Sequence, residues 1–409
     1  MVRTTPKAIF NTIESLKRWE VLPHLDLYPT FASQDYQCVR NFLSAYKNNA
    51  ETFKTYRREV ERFLQWAWLI QGKSILELKR DDIEAFITFC QKPPASWIGF
   101  NQVPRFVIKD GLEQPNPKWT PFVVQIPKSR VKVGEKPSKS DFSLSQAAIK
   151  ILFSTLSSLY NFLIQEEKTI SNPVNLIKQK GTFIRKKQAS SAPIRRLSQD
   201  QWGYVIKAAR DMFQENPEQH NRTLFIIQAL YGMYLRISEL VVSARWTPQM
   251  NSFYKDADGN WWFKVVGKGN KERDISVSDD MLEAFKQYRL SLNLSPWPSP
   301  IDDSPLIPKF IGKGGVTDTR HIRSLVQTCF DRAYQLMLKE HKIHDVAELK
   351  IATVHWLRHT GISDDVKIRP REHVRDDAGH SSGAITDKYI DIEKRARSLS
   401  AKKKKLVSS

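Results

Sequence analysis

The chain has 409 residues, enough for two domains, and its 41% hydrophobic content is enough to bury sizeable cores. Lysine and arginine number 64 against 44 aspartate and glutamate, a formal charge of +20, which favours a polyanionic partner through phosphate neutralisation and counterion release. Cys38, Cys90 and Cys329 are too few and too far apart for a disulfide framework or a cysteine zinc site. With no signal-like N-terminus and no apolar run of membrane-spanning length, the expectation is a cytoplasmic protein, nucleoid-associated if bacterial.

Residues 1–32 form a weakly patterned N-terminal extension, in which Ile9, Ile13 and Leu16 suit a short amphipathic turn or two. Residues 33–180 read as a helical domain. Its first helix is SQDYQCVRNFLSAYKN. Its second, AETFKTYRREVERFLQWAWLIQG, repeats Phe53, Tyr56, Val60, Phe63, Leu64 and Ala67 at helical spacing and carries Lys54, Arg57, Arg58 and Arg62 on its polar face. The third is LKRDDIEAFITFCQK, with Asp81 as the expected cap.

Between 93 and 140 prolines break any long helix, and the stretch reads as an irregular insertion. Trp97, Phe100, Phe106, Trp119 and Phe122 are too many for a free linker, so packing is expected. Helix resumes at 143–167. Residues 181–196 lose periodicity and gain charge, and form the expected interdomain linker with Arg185, Lys186, Lys187, Arg195 and Arg196.

Residues 197–409 form the second domain. LSQDQW is a capping pattern at Ser198, and a helix through 212 is followed by another at 223–233. SFYKDADGNWWFKVVGKGNKERDISV gives three short strands with turns at DADGN and GKGN. DADGN echoes a calcium loop, but the twelfth position is Gly267 and not glutamate. Helices are expected at 278–292, 319–340, 353–364, 370–378 and 382–390, ahead of a tail whose AKKKK run reads as a solvated end. The fold class expected is mainly α with a small antiparallel β-sheet.

One stretch, 351–390, holds His355, Arg358, His380 and Tyr389 at spacings of three, twenty-two and nine residues. Each type has a use in phosphate chemistry. Arginine is a fixed fork for two phosphate oxygens, histidine moves protons near neutral pH, and a tyrosine hydroxyl can attack phosphorus. Alone, each has an ordinary structural explanation. Upstream, Arg236 lies in the apolar, helical-looking LYGMYLRISELVV with Glu239 one turn on, and Lys268 stands at the tip of the GKGNKER hairpin. Arg236 is either an ion-paired structural residue or a guanidinium aimed into a site. His341-x-x-His344 and His355-x-x-x-His359 have ligand-like spacing, but no cysteine joins them.

The order Arg236, Lys268, His355-x-x-Arg358, His380, Tyr389, with the words LRISEL, VVGKGNKER, HWLRHTG and AGH, resembles the tyrosine recombinases of the lambda-integrase family. The resemblance covers about 197–395, and 33–180 more weakly resembles that family's core-binding domain. It implies two domains forming a clamp on DNA and a site-specific recombinase or integrase working as a homo-tetramer on double-stranded DNA with a specific site. Accessory DNA-bending or directionality factors are possible partners. By this resemblance Tyr389 would form a 3′-phosphotyrosyl bond, Arg236 and Arg358 would clamp the phosphate, and Lys268, with Lys271 as rival, would protonate the leaving oxygen. His355 would assist proton transfer or brace the phosphate, and His380 would hydrogen-bond the phosphate and help place Tyr389. No metal, ATP or other cofactor is implied.

Arg57, Arg58, Arg62 and the five linker cations are the candidate DNA contacts. The stretch before AGH is more charged than is usual in the family, the 93–140 insertion is absent from its simplest members, and no separate arm-binding domain is expected before residue 30. A type IB topoisomerase and a catalytically silent DNA-binding protein of this fold are the alternatives.

Overall fold

Helical periodicity and polar caps set most of the elements. A computed structural model describes residues 5–22, 25–126, 134–180, 195–267, 270–340 and 343–390. The chain divides into two units, Met1–Ala189 and Ser190–Ser409. The linker cations Arg185, Lys186 and Lys187 lie outside the described residues, as do Lys268 and the tail from 391.

The first unit contains α1 (Ile13–Arg18), α2 (Ala32–Ser44), α3 (Ala50–Trp66), α4 (Arg80–Gln91), α5 (Gln146–Gln165) and α6 (Pro173–Lys180). Asn49 caps α3 by accepting from the Thr52 amide, and Ser145 caps α5 by accepting from the Ala148 amide. The second helix does not stay α-helical to residue 72. It widens into a π-turn over Ala67–Gln71 and ends on Gly72 at φ 65°. Asp81 is not the capping acid of α4. Asp82 accepts from the Lys79 amide at 2.9 Å, because the third helical position is the one whose side chain reaches back to the cap.

The 93–140 stretch packs as its aromatics require. Strand β1 (Ile98–Gly99) runs parallel to β4 (Phe122–Val123), and β2 (Phe106–Lys109) forms a hairpin with β3 (Leu112–Pro115). Trp97 and Phe122 enter the unit's core, and Phe106 and Trp119 form a satellite cluster with Ala8. Phe100 is the exception and stays exposed. Among the described residues one helix, α5, is long and apolar enough to span a membrane. Half of its apolar window is buried within the chain, and it packs on α2, α3 and α6 as a core helix does.

The second unit contains α7 (Gln199–Glu215), α8 (Pro217–Gly232), β5 (Phe253–Lys255), β6 (Trp261–Val266), β7 (Glu272–Ser276), α9 (Asp279–Ser291), α10 (Thr319–Lys339), α11 (Ile343–Ile351), α12 (Val354–Asp365), α13 (Arg371–Ala378) and α14 (Gly383–Ile390). Ser198 and Gln201 form the capping box the sequence announces. Helix α8 starts earlier than its apolar run, because Asn216 caps it and Pro217 takes its first position. The sheet is antiparallel in the order β5-β6-β7, with Phe263 opposite Ile275 and Val265 opposite Arg273.

Two features place the site. Arg236 does not lie inside a helix. Helix α8 stops at Gly232, Tyr234 takes φ 50°, and Arg236 is extended at the head of the 3₁₀ turn Ile237–Glu239. Gly361 lets α12 press against α8, because a Cβ there would run into the Tyr231 carbonyl. The chain is mainly α with small sheets, as composition and pattern predict.

Candidate active site

Arg236, His355, Arg358, His380 and Tyr389 come together in the second unit. Helix α12 sets His355, Arg358 and His359 at i, i+3 and i+4, on one face. The buried Arg358 guanidinium donates to the Tyr234 carbonyl and, at 2.5 Å, to the Ala378 carbonyl.

The C-terminal end of α13 is the anchor for three arginines. The carbonyls of Asp377, Ala378 and Gly379 accept from Arg273 Nε at 3.0 Å, Arg358 Nη2 at 2.5 Å and Arg236 Nη2 at 3.2 Å. These carbonyls carry the negative end of the helix dipole, which suits cations. Gly379 closes α13 at φ 61°, and a Cβ there would sit 2.9 Å from Arg273 Cδ.

Glu239 is the second brace. It accepts from Arg236 Nη1 at 3.0 Å, from the Arg236 amide at 2.8 Å, and from both terminal nitrogens of Arg273 at 2.9 Å. Burial alone would raise its pKa, but the hydrogen bonds and charge of Arg273 and Arg236 outweigh it and hold the carboxyl below its ordinary value. One carboxylate against three guanidiniums leaves the site positively charged.

That field and burial fix the protonation states. Burial, then the Arg236 charge, lowers Arg358 to about 10, still protonated at neutral pH. Burial, with Arg358 and Arg236, lowers His355. Burial lowers His359 to about 4, with help from His355 and Arg358, and lowers His380 to about 4, with help from Arg358 and Arg236. His359 and His380 are therefore neutral at pH 7.

Tyr389, on α14, is buried in a small cluster with Tyr234, Ile362, Val374 and Ala378. Its hydroxyl lies 2.7 Å from His359 Nδ1. The His380 ring stacks on it at 5.8 Å, while His380 Nδ1 pairs with the Thr386 hydroxyl at 2.9 Å. Burial pushes the phenol above its ordinary pKa, and Arg358 and Arg236 pull the other way. The arrangement can hold an anion at the arginines and present a phenol to it.

Two members escaped the sequence reading. Arg273 lies on β7 two residues from the buried Ile275, and strand alternation sends both to the same face. His359 figured only as half of a ligand-like spacing, although its i+4 relation to His355 already aligned the two rings, now 5.9 Å apart.

The candidate DNA contacts are less uniform. Arg58 and Arg195 are exposed, Arg58 beside Glu59 at 2.6 Å. Arg196 lies 3.6 Å from Asp364. Arg57 rests over the Phe53 ring, and burial lowers it to about 10. Arg62 is turned inward, against its expected place on an outer polar face. Its guanidinium donates to the Pro121 carbonyl at 2.6 and 2.8 Å, pairs with Glu59 at 3.1 Å and lies over the Phe122 ring. Lys271 is exposed. Among the described residues no three acidic, histidine or cysteine side chains converge as a metal site; His341 and the His344 side chain lie outside them.

No family model matches the chain. Over 150 residues it is 28% identical to the tyrosine recombinase XerC of Pediococcus pentosaceus, covering 36% of this chain and 44% of that protein. Over 146 residues it is 32% identical to XerD of Rickettsia prowazekii, covering 36% and 43%. The matches thus span less than half the length of these two curated relatives. A crystal structure of the XerH site-specific recombinase bound to a palindromic difH substrate, in a post-cleavage complex, aligns with TM-score 0.56 at 14% identity. It covers 91% of this chain and 85% of that one. The fold is that of the tyrosine recombinases. Within that class the sequence resembles the Xer proteins.

Proposed function

We propose that this chain is a site-specific DNA recombinase or integrase that breaks and rejoins strands through a 3′-phosphotyrosyl intermediate. The observation that carries this reading is a phenol, Tyr389, set against a surplus of arginine charge on the tyrosine-recombinase fold. The phenolic oxygen attacks a DNA phosphorus and the 5′-oxygen leaves, so the bond energy is kept in the ester for rejoining. Arg236 and Arg358 stabilise the charge on the non-bridging oxygens. Losing one such donor costs on the order of a hundredfold or more in rate. These guanidiniums supply the charge that other phosphoryl-transfer enzymes take from Mg²⁺, so the reaction needs no metal and no ATP.

Lys268 is the acid for the leaving oxygen, with Lys271 as its rival. His355 assists at the phosphate, and His380 places Tyr389 through its ring stack. The helices of residues 33–180 act as a core-binding domain, with Arg58 and Arg195 among the phosphate contacts. Exchange between two duplexes requires a tetramer on DNA.

The test is covalent trapping on a pool of nicked duplexes carrying a randomised stretch, in EDTA, with wild type and Tyr389→Phe. The expected result is a denaturation-resistant adduct in wild type only, enriched for one sequence. Adducts on every sequence alike would make the chain a relaxing topoisomerase instead. An equal response of wild type and Tyr389→Phe would overturn the tyrosine mechanism.

A further inference from the structure

His359 has no part in the mechanism above, yet its Nδ1 is 2.7 Å from the Tyr389 hydroxyl. The other two histidines are placed differently. His380 stacks on the tyrosine ring, but its Nδ1 is engaged by Thr386. His355 stacks on His359, and no hydrogen bond joins it to Tyr389 among the described residues. A neutral imidazole with one unprotonated nitrogen is a proton acceptor. Burial keeps His359 in that form, with His355 and Arg358 on its own helix adding to it; Tyr389 on α14 faces it, and His380 beyond α13 is lowered in turn by His359. Arg236 from the 3₁₀ turn and Arg323 from α10 act on the adjoining His355.

We propose that His359 is the general base of strand cleavage, taking the Tyr389 proton on Nδ1 as the phenolic oxygen attacks phosphorus. The inference rests on the reading of Tyr389 as nucleophile. The O–H bond of Tyr389 breaks and its proton passes to His359. The tyrosyl O–P bond forms, the P–O5′ bond breaks, and the 5′-oxygen leaves with the electron pair and takes a proton from the acid. In rejoining, the 5′-hydroxyl returns its proton to the conjugate base of that acid as its oxygen attacks phosphorus, the tyrosyl O–P bond breaks, and the imidazolium returns its proton to the leaving phenolic oxygen. One residue thus serves both directions.

The need is physical. A phenol of ordinary pKa ~10 is ionised in only about one molecule in a thousand at pH 7, and burial lowers that fraction further. An imidazolium at 359 would repel Arg358, and the phosphodiester charge offsets that repulsion when DNA is bound.

The test uses the full chain and the duplex that wild type selects from the randomised pool, with single-turnover adduct formation followed from pH 6 to 10. His359→Asn sets an amide near the Nδ1 position, so it keeps a hydrogen bond to the phenol without a base. The expected loss at pH 7 is about a hundredfold or more, with duplex affinity unchanged. The log rate of the variant should climb by about one unit per pH unit while wild type stays flat, because hydroxide must then ionise the phenol. A variant within about threefold of wild type, or a slow one with the wild-type pH profile, would mean that the contact only orients Tyr389 and would overturn the proposal. Should the asparagine variant fail to fold, His359→Ala with added imidazole decides: recovered rate supports the base, and no recovery overturns it. A wild type that forms no adduct on any sequence overturns the nucleophile reading itself, and this proposal with it.

Discussion

Gly379 carries an unusual share of the site for a residue without a side chain. Its φ of 61° is costly for an L-residue, and its missing Cβ leaves room for Arg273, while its carbonyl accepts from Arg236. Gly379→Ala should lose about 1–3 kcal/mol of unfolding free energy, measured in urea, and slow adduct formation at least tenfold, because Arg273 must move. A variant as stable and as active as wild type would show that the α13 terminus does not position the arginines. Arg273→Lys tests the other side of the same brace. A lysine cannot donate as a two-pronged fork to Glu239, so the adduct rate should fall while the duplex Kd holds. At this scale the sequence exposed residues whose type and spacing suggest chemistry, such as His355-x-x-Arg358. It hid residues that act through other residues. Glu239 stood out only as a neighbour of Arg236, and nothing in ERDIS distinguishes Arg273 from a solvated charge until the strand's inner face is known.

Elements were legible where periodicity and caps agree and less so where tertiary contacts decide. Ser198 and Gln201 announced α7 in four letters. The π-turn after Trp66 and the break at Tyr234 that frees Arg236 from α8 were not announced, because apolar residues continue through both. Asp35 on α2 is another such case. It is a carboxylate on the apolar face of α2, and it is buried and accepts from Trp68 Nε1 at 2.8 Å, the Ser74 hydroxyl at 2.6 Å and the Ile75 amide at 3.0 Å. It therefore ties α2 to the π-turn and to the loop ahead of α4. Asp35→Ala strands these donors in the core, and about 3–5 kcal/mol of stability should be lost, read as a fall in melting temperature. A loss no larger than that of a surface substitution would mean that water replaces the carboxylate.

For the whole molecule, the +20 charge overstates what is free to meet a polyanion. Several arginines are committed inside. Arg105 pairs with buried Glu61, Arg289 is 1% exposed and pairs with Asp302 at 2.8 Å, and Arg62 is held by Pro121, Glu59 and Phe122. Charge counting cannot separate these from Arg58, because the two residues stand one helical turn apart on α3 and differ only in what surrounds them. Salt can. Each phosphate neutralised by a cation releases counterions, so log K for duplex falls linearly with log salt, with a slope of about −0.9 per contact. With roughly six to ten contacts, affinity should drop about 10³- to 10⁵-fold between 50 and 200 mM salt. Arg58→Ala should flatten that slope by about one contact and leave the melting temperature near wild type. Arg62→Met should do the reverse: the slope holds, and the melting temperature falls because Glu59 is left with only the more exposed Arg58, the Pro121 carbonyl loses its donor and Phe122 its cation. If Arg62→Met flattens the slope as much as Arg58→Ala and melts normally, Arg62 leaves its internal partners to reach the phosphate, and the division of the charge into structural and binding sets is wrong.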